Sequence, residues 1–411
     1  MSKMRRFLTV LLAVAFAGSL GLVGSGQASA HQLTARHHGA PAVSVFAAGL
    51  NNPRGLTFGP DRNLYVAEGG LGGTHSTVGL CPQAAGAAAP YTGSTNNPVL
   101  GGRISKVSRA GVVTTVVNAL PSSQTNAASG NLVSGVSSVA FIGHQLYALL
   151  AGAGCSHGVP TVPNGVIKVG HHGRWKLIAN LSAFQKAHPV AHPDPEDFEP
   201  DGTWYSMIAI GRALYPMDSN HGELDRVTRS GAISRVIDIS ASQGHVVPTA
   251  LTYHRGIYIA NLGLFEPTDR AGDEHVWRLT GHRTLKVRAT GVEKVLGLAF
   301  RGGKSYALEM STTAGAPTPG TGAIVRVNRH GPPETVVSGL TSPTGMTVGP
   351  DGASYVSNQG SASAPGKARS CASRPDQNER PRGQPDRLAP GSHPRSRTTA
   401  VPDVPSQHAS R

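Results

Sequence analysis

Leu64-Tyr65-Val66-Ala67-Glu68 is the first of six copies of one phrase: a small or apolar residue, a tyrosine, two further residues, then usually an acid or an amide. The others are Leu146-Tyr147-Ala148-Leu149-Leu150, Leu214-Tyr215-Pro216-Met217-Asp218, Ile257-Tyr258-Ile259-Ala260-Asn261, Ser305-Tyr306-Ala307-Leu308-Glu309 and Ser354-Tyr355-Val356-Ser357-Asn358. Each reads as a short strand, and six copies of a strand imply six copies of one structural unit.

Working outward, an apolar strand precedes each phrase, at 53–58, 136–141, 203–208, 248–253, 295–300 and 343–348, joined to it by a tight turn such as Gly59-Pro60-Asp61-Arg62. A third strand follows, at 102–107, 165–169, 222–227, 275–279 and 322–327, usually opened by Gly. A fourth closes the unit at 112–117, 175–179, 233–239, 284–289 and 334–337. Four antiparallel strands per repeat describe a propeller blade. From Ile208 through Tyr253 and Phe300 to Val348, the last residues predicted for the first strands recur at the usual blade period of about 40–50 residues. The expected fold is therefore all-β: a six-bladed β-propeller over residues 43–360. The strand at 43–50 (VSVFAAGL) has no blade of its own and resembles TVVSGL at 335–340. It is expected to close the last blade, removing the free sheet edges that invite aggregation.

In such a blade the short first-to-second and third-to-fourth turns share one face. The long segments, at 69–101, 118–135, 151–164, 181–202, 262–274 and 310–321, all fall on the other. Long loops on a rigid scaffold are where binding is expected. The fifth position of the phrase opens on that face and would set Glu68, Asp218, Asn261, Glu309 and Asn358 in a circle, with Leu150 the apolar exception. These five are the candidate ligand-binding residues. Carboxylates gathered on one axis repel unless a cation relieves them, and Ca²⁺ or another hard divalent ion suits carboxylate and amide oxygens. The competing reading is that these residues end strands and solvate a channel mouth.

The net charge of +14 is concentrated at the two ends of the chain, and no basic stripe with interleaved aromatics suggests nucleic-acid binding. Lys3, Arg5 and Arg6, an apolar run at 7–23 and Ala28-Ser29-Ala30 read as a secretory signal over 1–30, followed by a flexible linker at 31–42. The expectation is a secreted, extracytoplasmic bacterial protein with no stable membrane anchor after cleavage, monomeric, meeting a small molecule or an extracellular protein. Export permits a disulfide, and Cys81 and Cys155 follow the tyrosine strands of adjacent repeats; two free thiols are the alternative.

The six-blade pattern resembles NHL-type and gluconolactonase/regucalcin-like propellers. It resembles more closely the ScyD/ScyE family of secreted propellers, through PRGLTFGPDRNLYVAE (53–68), VPTALTYHRGIYIAN (247–261), VLGLAFRGGKSYALEM (295–310), GTGAIVRV (320–327) and SGLTSPTGMTVGPDGASYVSNQG (338–360). The run Asp218-Ser219-Asn220-His221-Gly222-Glu223 departs from the Asp-Ala-Gly-Gly-Asn form of that family. The gluconolactonase resemblance implies a divalent ion in the central channel, with Glu68, Asp218, Asn261 and Asn358 as metal ligands and a metal-dependent, lactonase-like hydrolase as the alternative to a binding protein.

After Gly360 the family pattern requires a third strand of the form Gly-Glu-Val-Leu-Arg-Ile, whereas this chain reads Gly366-Lys367-Ala368-Arg369-Ser370-Cys371-Ala372-Ser373. Permitted codons for those eight residues, GGC AAG GCG AGG TCC TGC GCA TCC, yield Gln-Gly-Glu-Val-Leu-Arg-Ile when read from the third base. Residues 361–411 are accordingly read as a frameshifted tail too poor in apolar residues to order itself, leaving the last third strand absent or improvised.

Of the other acidic and histidine-bearing stretches, DPEDFEPD at 194–201 lacks EF-hand spacing and reads as a solvated loop. His188 and His192 are separated by proline, which argues against a helical metal pair. No Gly-x-Ser-x-Gly elbow, phosphate loop or Cys-x-x-Cys pair is present.

Overall fold

The computed structural model describes residues 43–81, 91–125, 133–193, 199–264, 270 and 272–360, and the backbone of 368–373. All belong to one compact unit. The signal and linker expected at 1–42, the acidic stretch 194–198 and most of the tail lie outside the described residues.

Strands dominate, arranged in six four-stranded antiparallel sheets. Sheet 1 runs in order Pro53–Phe58, Leu64–Glu68, Gly102–Val107, Val113–Leu120. Sheet 2 is Val136–Ile142, Gln145–Leu150, Gly165–Val169, Trp175–Asn180, and sheet 3 is Trp204–Ile210, Ala213–Asp218, Glu223–Thr228, Ile233–Asp238. Sheet 4 is Pro248–Tyr253, Ile257–Asn261, Glu274–Thr280, Thr284–Val292, and sheet 5 is Val295–Arg301, Lys304–Glu309, Gly322–Val327, Glu334–Leu340. Sheet 6 places Gly345–Val348, Ser354–Asn358 and Ala368–Ser373 in order and takes its fourth strand, Val43–Leu50, from the other end of the chain.

The first strand of each sheet lies against the first strands of the preceding and following sheets, and that of sheet 6 lies against that of sheet 1. Hydroxyl groups tie these neighbours together. Ser137 Oγ donates to the Trp204 carbonyl at 2.6 Å, Ser206 Oγ to that of Thr249, Thr249 Oγ1 to that of Val295 at 2.5 Å, and Thr344 Oγ1 to that of Pro53 at 2.5 Å. Each bond satisfies a buried or part-buried polar pair while fixing the spacing of two sheets. Space is tight there. A Cβ at Gly345 would sit 2.5 Å from the Arg54 carbonyl oxygen, so that position admits only glycine without movement.

The core is divided into six apolar clusters, each between neighbouring sheets; Ala67, Ile104 and Val117 of sheet 1 meet Val139, Ala148 and Ile167 of sheet 2, for example. The phrase tyrosines belong to this packing. Tyr65 meets Phe141 edge-on at 4.9 Å, Tyr258 packs on Phe300 at 4.9 Å, and Tyr355 meets Phe58 at 5.0 Å, joining sheets 1 to 2, 4 to 5 and 6 to 1. Aromatic pairs at these separations add to the energy of area burial.

Of the two outcomes expected for the last third strand, absent or improvised, the second is seen, and it corrects the reading of 361–411 as wholly unordered. Order does not end at Gly360: Ala368–Ser373 pairs with Ser354–Asn358 on one side and Val43–Leu50 on the other. Ala368 faces Leu50 as Gly102 faces Leu120 and Gly322 faces Leu340; Arg369 faces Asn358 as Arg103 faces Glu68. Two strands bounding an empty slot present unpaired N–H and C=O groups along both edges, and an extended backbone of almost any sequence satisfies them.

The long segments also hold more structure than loops. Asn180 accepts from Ala183 N at 2.9 Å and so caps a short helix, Leu181–Ala187. His75–Ser76, Thr92–Ser94 and Ser122–Gln124 form a separate three-stranded sheet.

Candidate functional site

Glu68, Asp218, Asn261, Glu309 and Asn358 all end the second strand of their sheets, the equivalence read from the repeat. Their side chains do not turn to a common centre. Glu68 is fully buried, accepts from Asn51 N at 2.6 Å, and is held by Arg103 through Nε at 2.8 Å and a second nitrogen at 2.7 Å, with Ser105 Oγ as a further donor. Glu309 accepts from Glu293 N at 3.0 Å, and Asn358 from Thr341 N at 2.9 Å. Asp218 Oδ1 takes the amides of Thr203 and Asn220 at 3.1 and 3.0 Å, and its Oδ2 meets His221 Nδ1 at 2.7 Å. Asn261 accepts from His275 N at 2.8 Å.

In four of the five, the amide bound belongs to the corner where the chain enters the sheet's first strand. The acid or amide is the partner of a backbone N–H that would otherwise be orphaned, a structural duty that uses its oxygens. The second strand also stands one strand away from the innermost position, which disperses the circle. Among the described residues, no group of three or more His, Cys, Asp or Glu side chains is placed to hold a metal ion. The donor set Glu68, Asp218, Asn261 and Asn358 thus does not fit a shared divalent ion in this arrangement.

A cavity of 330 Å³ opens instead among the first strands and corners of sheets 1 to 5, on the face of the long segments. That volume is within the range of small-molecule sites. Much of its wall is apolar: Val247, Leu262, Leu264, Leu296 and Met310. Its polar residues include Arg54, Tyr91, Glu199, Tyr205 and His245. Tyr205 and Leu296 also line a second cavity of 540 Å³ at the opposite ends of the first strands. The Tyr205 hydroxyl donates to the Thr344 carbonyl at 2.8 Å, joining sheet 3 to sheet 6.

Tyr91 comes from the long segment after Glu68. Its position is set by the small three-stranded sheet, whose Thr92 pairs with both Ser76 and Gln124, and by the bond between Cys81 and Cys155, whose Cα atoms lie 5.7 Å apart. The cysteine pairing considered from sequence is therefore present. Tyr91 packs against His157 at 4.5 Å with the rings tilted by 36° and donates to Glu199 Oε1 at 2.5 Å. Burial, then the charge and hydrogen bond of Glu199, push the Tyr91 phenol well above its ordinary pKa. Burial raises that of Tyr205 against the opposing pull of Arg54. Both phenols stay protonated at neutral pH.

Glu199 and Asp201 correct the reading of the acidic stretch as solvated: both are buried. Asp201 takes the amide and hydroxyl of Ser156 at 2.8 and 2.7 Å, and Lys186 Nζ at 2.6 Å. Burial pushes its pKa up, but these donors outweigh burial and hold it below the ordinary value. His188 stacks on Phe184 at 4.5 Å, just past the helix.

No protein-family model matches the chain, and no curated protein matches it. Among solved structures it is similar to an oxidoreductase (glucose dehydrogenase) from Thermus thermophilus, at 16% identity and a TM-score of 0.50, covering 81% of this chain and 100% of the other. It is also similar to a gluconolactonase from Xanthomonas campestris (9% identity, TM-score 0.49, 82% and 90% covered). A third is the PQQ-bound aldose sugar dehydrogenase from Streptomyces coelicolor (12% identity, TM-score 0.48, 81% and 98% covered). At such identities the likeness is one of fold: an all-β chain of four-stranded antiparallel sheets, of the propeller kind.

Proposed function

We propose that this chain is an exported six-bladed β-propeller of the ScyD/ScyE type that binds a small molecule on its loop-bearing face. In this reading residues 1–30 direct export, 31–42 link, and the six sheets are six blades around one axis. The cyclic order of first-strand contacts supports the blade count. The observation that carries the binding reading is the 330 Å³ cavity, walled by five sheets and reached by Tyr91 from an insertion pinned through Cys81–Cys155. A rigid scaffold with an apolar pocket and a few placed polar groups is the usual form of a ligand site.

A thermal-shift screen of small metabolites tests this, run beside a Leu296→Trp variant that fills the pocket. Compounds that raise the wild-type melting temperature but leave the variant unmoved support the reading. A screen in which no compound distinguishes the two proteins overturns it.

The hydrolase alternative requires Glu68, Asp218, Asn261 and Asn358 to exchange their present hydrogen bonds for a shared ion. Stoichiometric divalent metal in the purified protein, lost in Glu68→Gln together with lactone hydrolysis, would favour it over binding alone.

A further inference from the structure

Arg54 is the second residue of sheet 1's first strand, half-buried, and its side chain stands at the wall of the 330 Å³ cavity. A guanidinium stays charged at any physiological pH and carries five donors. Among the described residues its hydrogen-bond partners are neutral: a terminal nitrogen donates to the Val133 carbonyl, and a further bond joins it to the Tyr205 phenol, with the Tyr91 phenol also within its field. Among the described residues no carboxylate pairs with it. A cation held against apolar walls without a carboxylate in direct contact has lost hydration and regained little.

Glu199 is the carboxylate of the described wall, and it and Arg54 act on the Tyr91 phenol in opposite directions. Glu199 directs Oε1 to the Tyr91 hydroxyl at 2.5 Å, and its carbonyl accepts from Asn220 Nδ2 at 3.3 Å. Tyr91 and Tyr205 remain neutral phenols, since burial opposes their ionisation. His245 brings no negative charge. Leu262, Leu264, Leu296 and Met310 line the cavity with hydrocarbon.

We infer that the ligand joins an anionic group, a carboxylate or its equivalent, to an apolar body. Its anion pairs with Arg54 and its body lies on the leucine and methionine wall. A carboxylate matches the guanidinium fork with two parallel hydrogen bonds, the strongest polar contact available to such a site. This inference rests on the cavity being the ligand site proposed above.

The test is calorimetric binding of three probes that share one body: 4-phenylbutyrate, 4-phenylbutanol and 4-phenylbutylamine, titrated into the full chain. The expected result is that the carboxylate binds at least about tenfold more tightly than the alcohol, a difference of ~1.4 kcal/mol, with the amine weakest. Arg54→Gln should remove that preference and leave the alcohol unchanged, Arg54→Lys should retain part of it, and Leu296→Trp should weaken all three. Equal binding of acid and alcohol to the wild type, or preference for the amine, overturns the anion inference while leaving the cavity as a binding site. Binding of none of the three, or binding unchanged by Leu296→Trp, overturns the cavity reading and this inference with it. The wild-type comparison needs no variant, so a fold defect at position 54 does not blunt it.

Discussion

The Tyr205 hydroxyl donates to the Thr344 carbonyl at 2.8 Å, linking sheet 3 to sheet 6, two sheets whose first strands are not neighbours. Because Tyr205 lines both cavities, this bond stands between the pocket on the loop-bearing face and the larger opening on the opposite side. Tyr205→Phe removes the donor and leaves the Thr344 carbonyl without it, at a cost of about 1–3 kcal/mol. Chemical denaturation should show that loss, and Tyr205→Ala should lose more because it also empties the space of the ring.

Glu68→Gln separates the structural role of that residue from a metal-binding one. The variant keeps an acceptor for Asn51 N but leaves Arg103 without its carboxylate. Removing one partner of a buried ion pair costs about 3–5 kcal/mol; Arg103 is partly exposed, so the lower end is expected. Calorimetric unfolding should show the drop, with divalent metal content by elemental analysis unchanged. An undiminished melting temperature would contradict the structural role.

Reduction, or Cys81→Ser with Cys155→Ser, should loosen the insertion that carries Tyr91. A cross-link between positions 74 residues apart stabilises by about 3–5 kcal/mol in the chain-entropy account. Hydrogen exchange should rise first at the amides of Thr92–Ser94 and Ser122–Gln124. Uniform loss of protection across all six sheets would show that the bond acts globally instead.

Stability should decline as pH rises from the ordinary carboxyl range toward about 8. Burial, then the charges of Asp225 and Asp218, lift Glu223 to about 8. Burial, against Arg235, lifts Asp225 to about 7, and burial also lifts Glu293 and Glu309 to about 7. Raised folded-state values mean that the folded chain holds protons the unfolded chain has released. The contribution is complete below the unfolded carboxyl pKa and is lost as pH climbs through the folded values. Both oxygens of Asp225 are buried without a hydrogen-bond partner, so Asp225→Asn should flatten the melting curve against pH and raise the midpoint at pH 8. A midpoint that rises from pH 5 to pH 8 would refute this assignment.

Replacing Ala368–Ser373 by Gly-Glu-Val-Leu-Arg-Ile should stabilise the chain, because the slot between Ser354–Asn358 and Val43–Leu50 has the register of the other third strands. One kcal/mol shifts the midpoint of a large domain by roughly 2–4 °C, and the repaired strand should exceed that. Equal melting of the two forms would show that backbone pairing alone closes sheet 6. Codons incompatible with the alternative frame would end the frameshift reading independently.

The repeat made the strand plan legible. Pro53–Phe58, Leu64–Glu68, Gly102–Val107, Gly165–Val169, Pro248–Tyr253 and Gly322–Val327 lie where alternation and turn residues placed them, and Val43–Leu50 joins the last sheet as its resemblance to 335–340 indicated. The helix at Leu181–Ala187 and the small sheet around Thr92 fall in stretches that sequence alone gives as loops, since neither element repeats and the strands of the sheet are two or three residues long. Periodicity has nothing to act on over such lengths. The burial of Asp201 and Glu199 is not legible in sequence, because a run of acids resembles a solvated loop until Lys186, Ser156 and Tyr91 are brought against it.

Local pattern was sufficient to determine the repeated strands, their up-and-down order and the equivalence of Glu68, Asp218, Asn261, Glu309 and Asn358, because a repeated phrase carries its own register. Where those side chains point was decided by the fold alone, since a carboxylate takes the donor nearest to it, and the corner amides lie nearer than any shared centre. The meeting of Arg54, Tyr91, Glu199 and Tyr205 at one cavity was likewise a tertiary outcome. These residues come from unrelated stretches with no common motif, and only the curvature of the sheets and the Cys81–Cys155 bond bring them together.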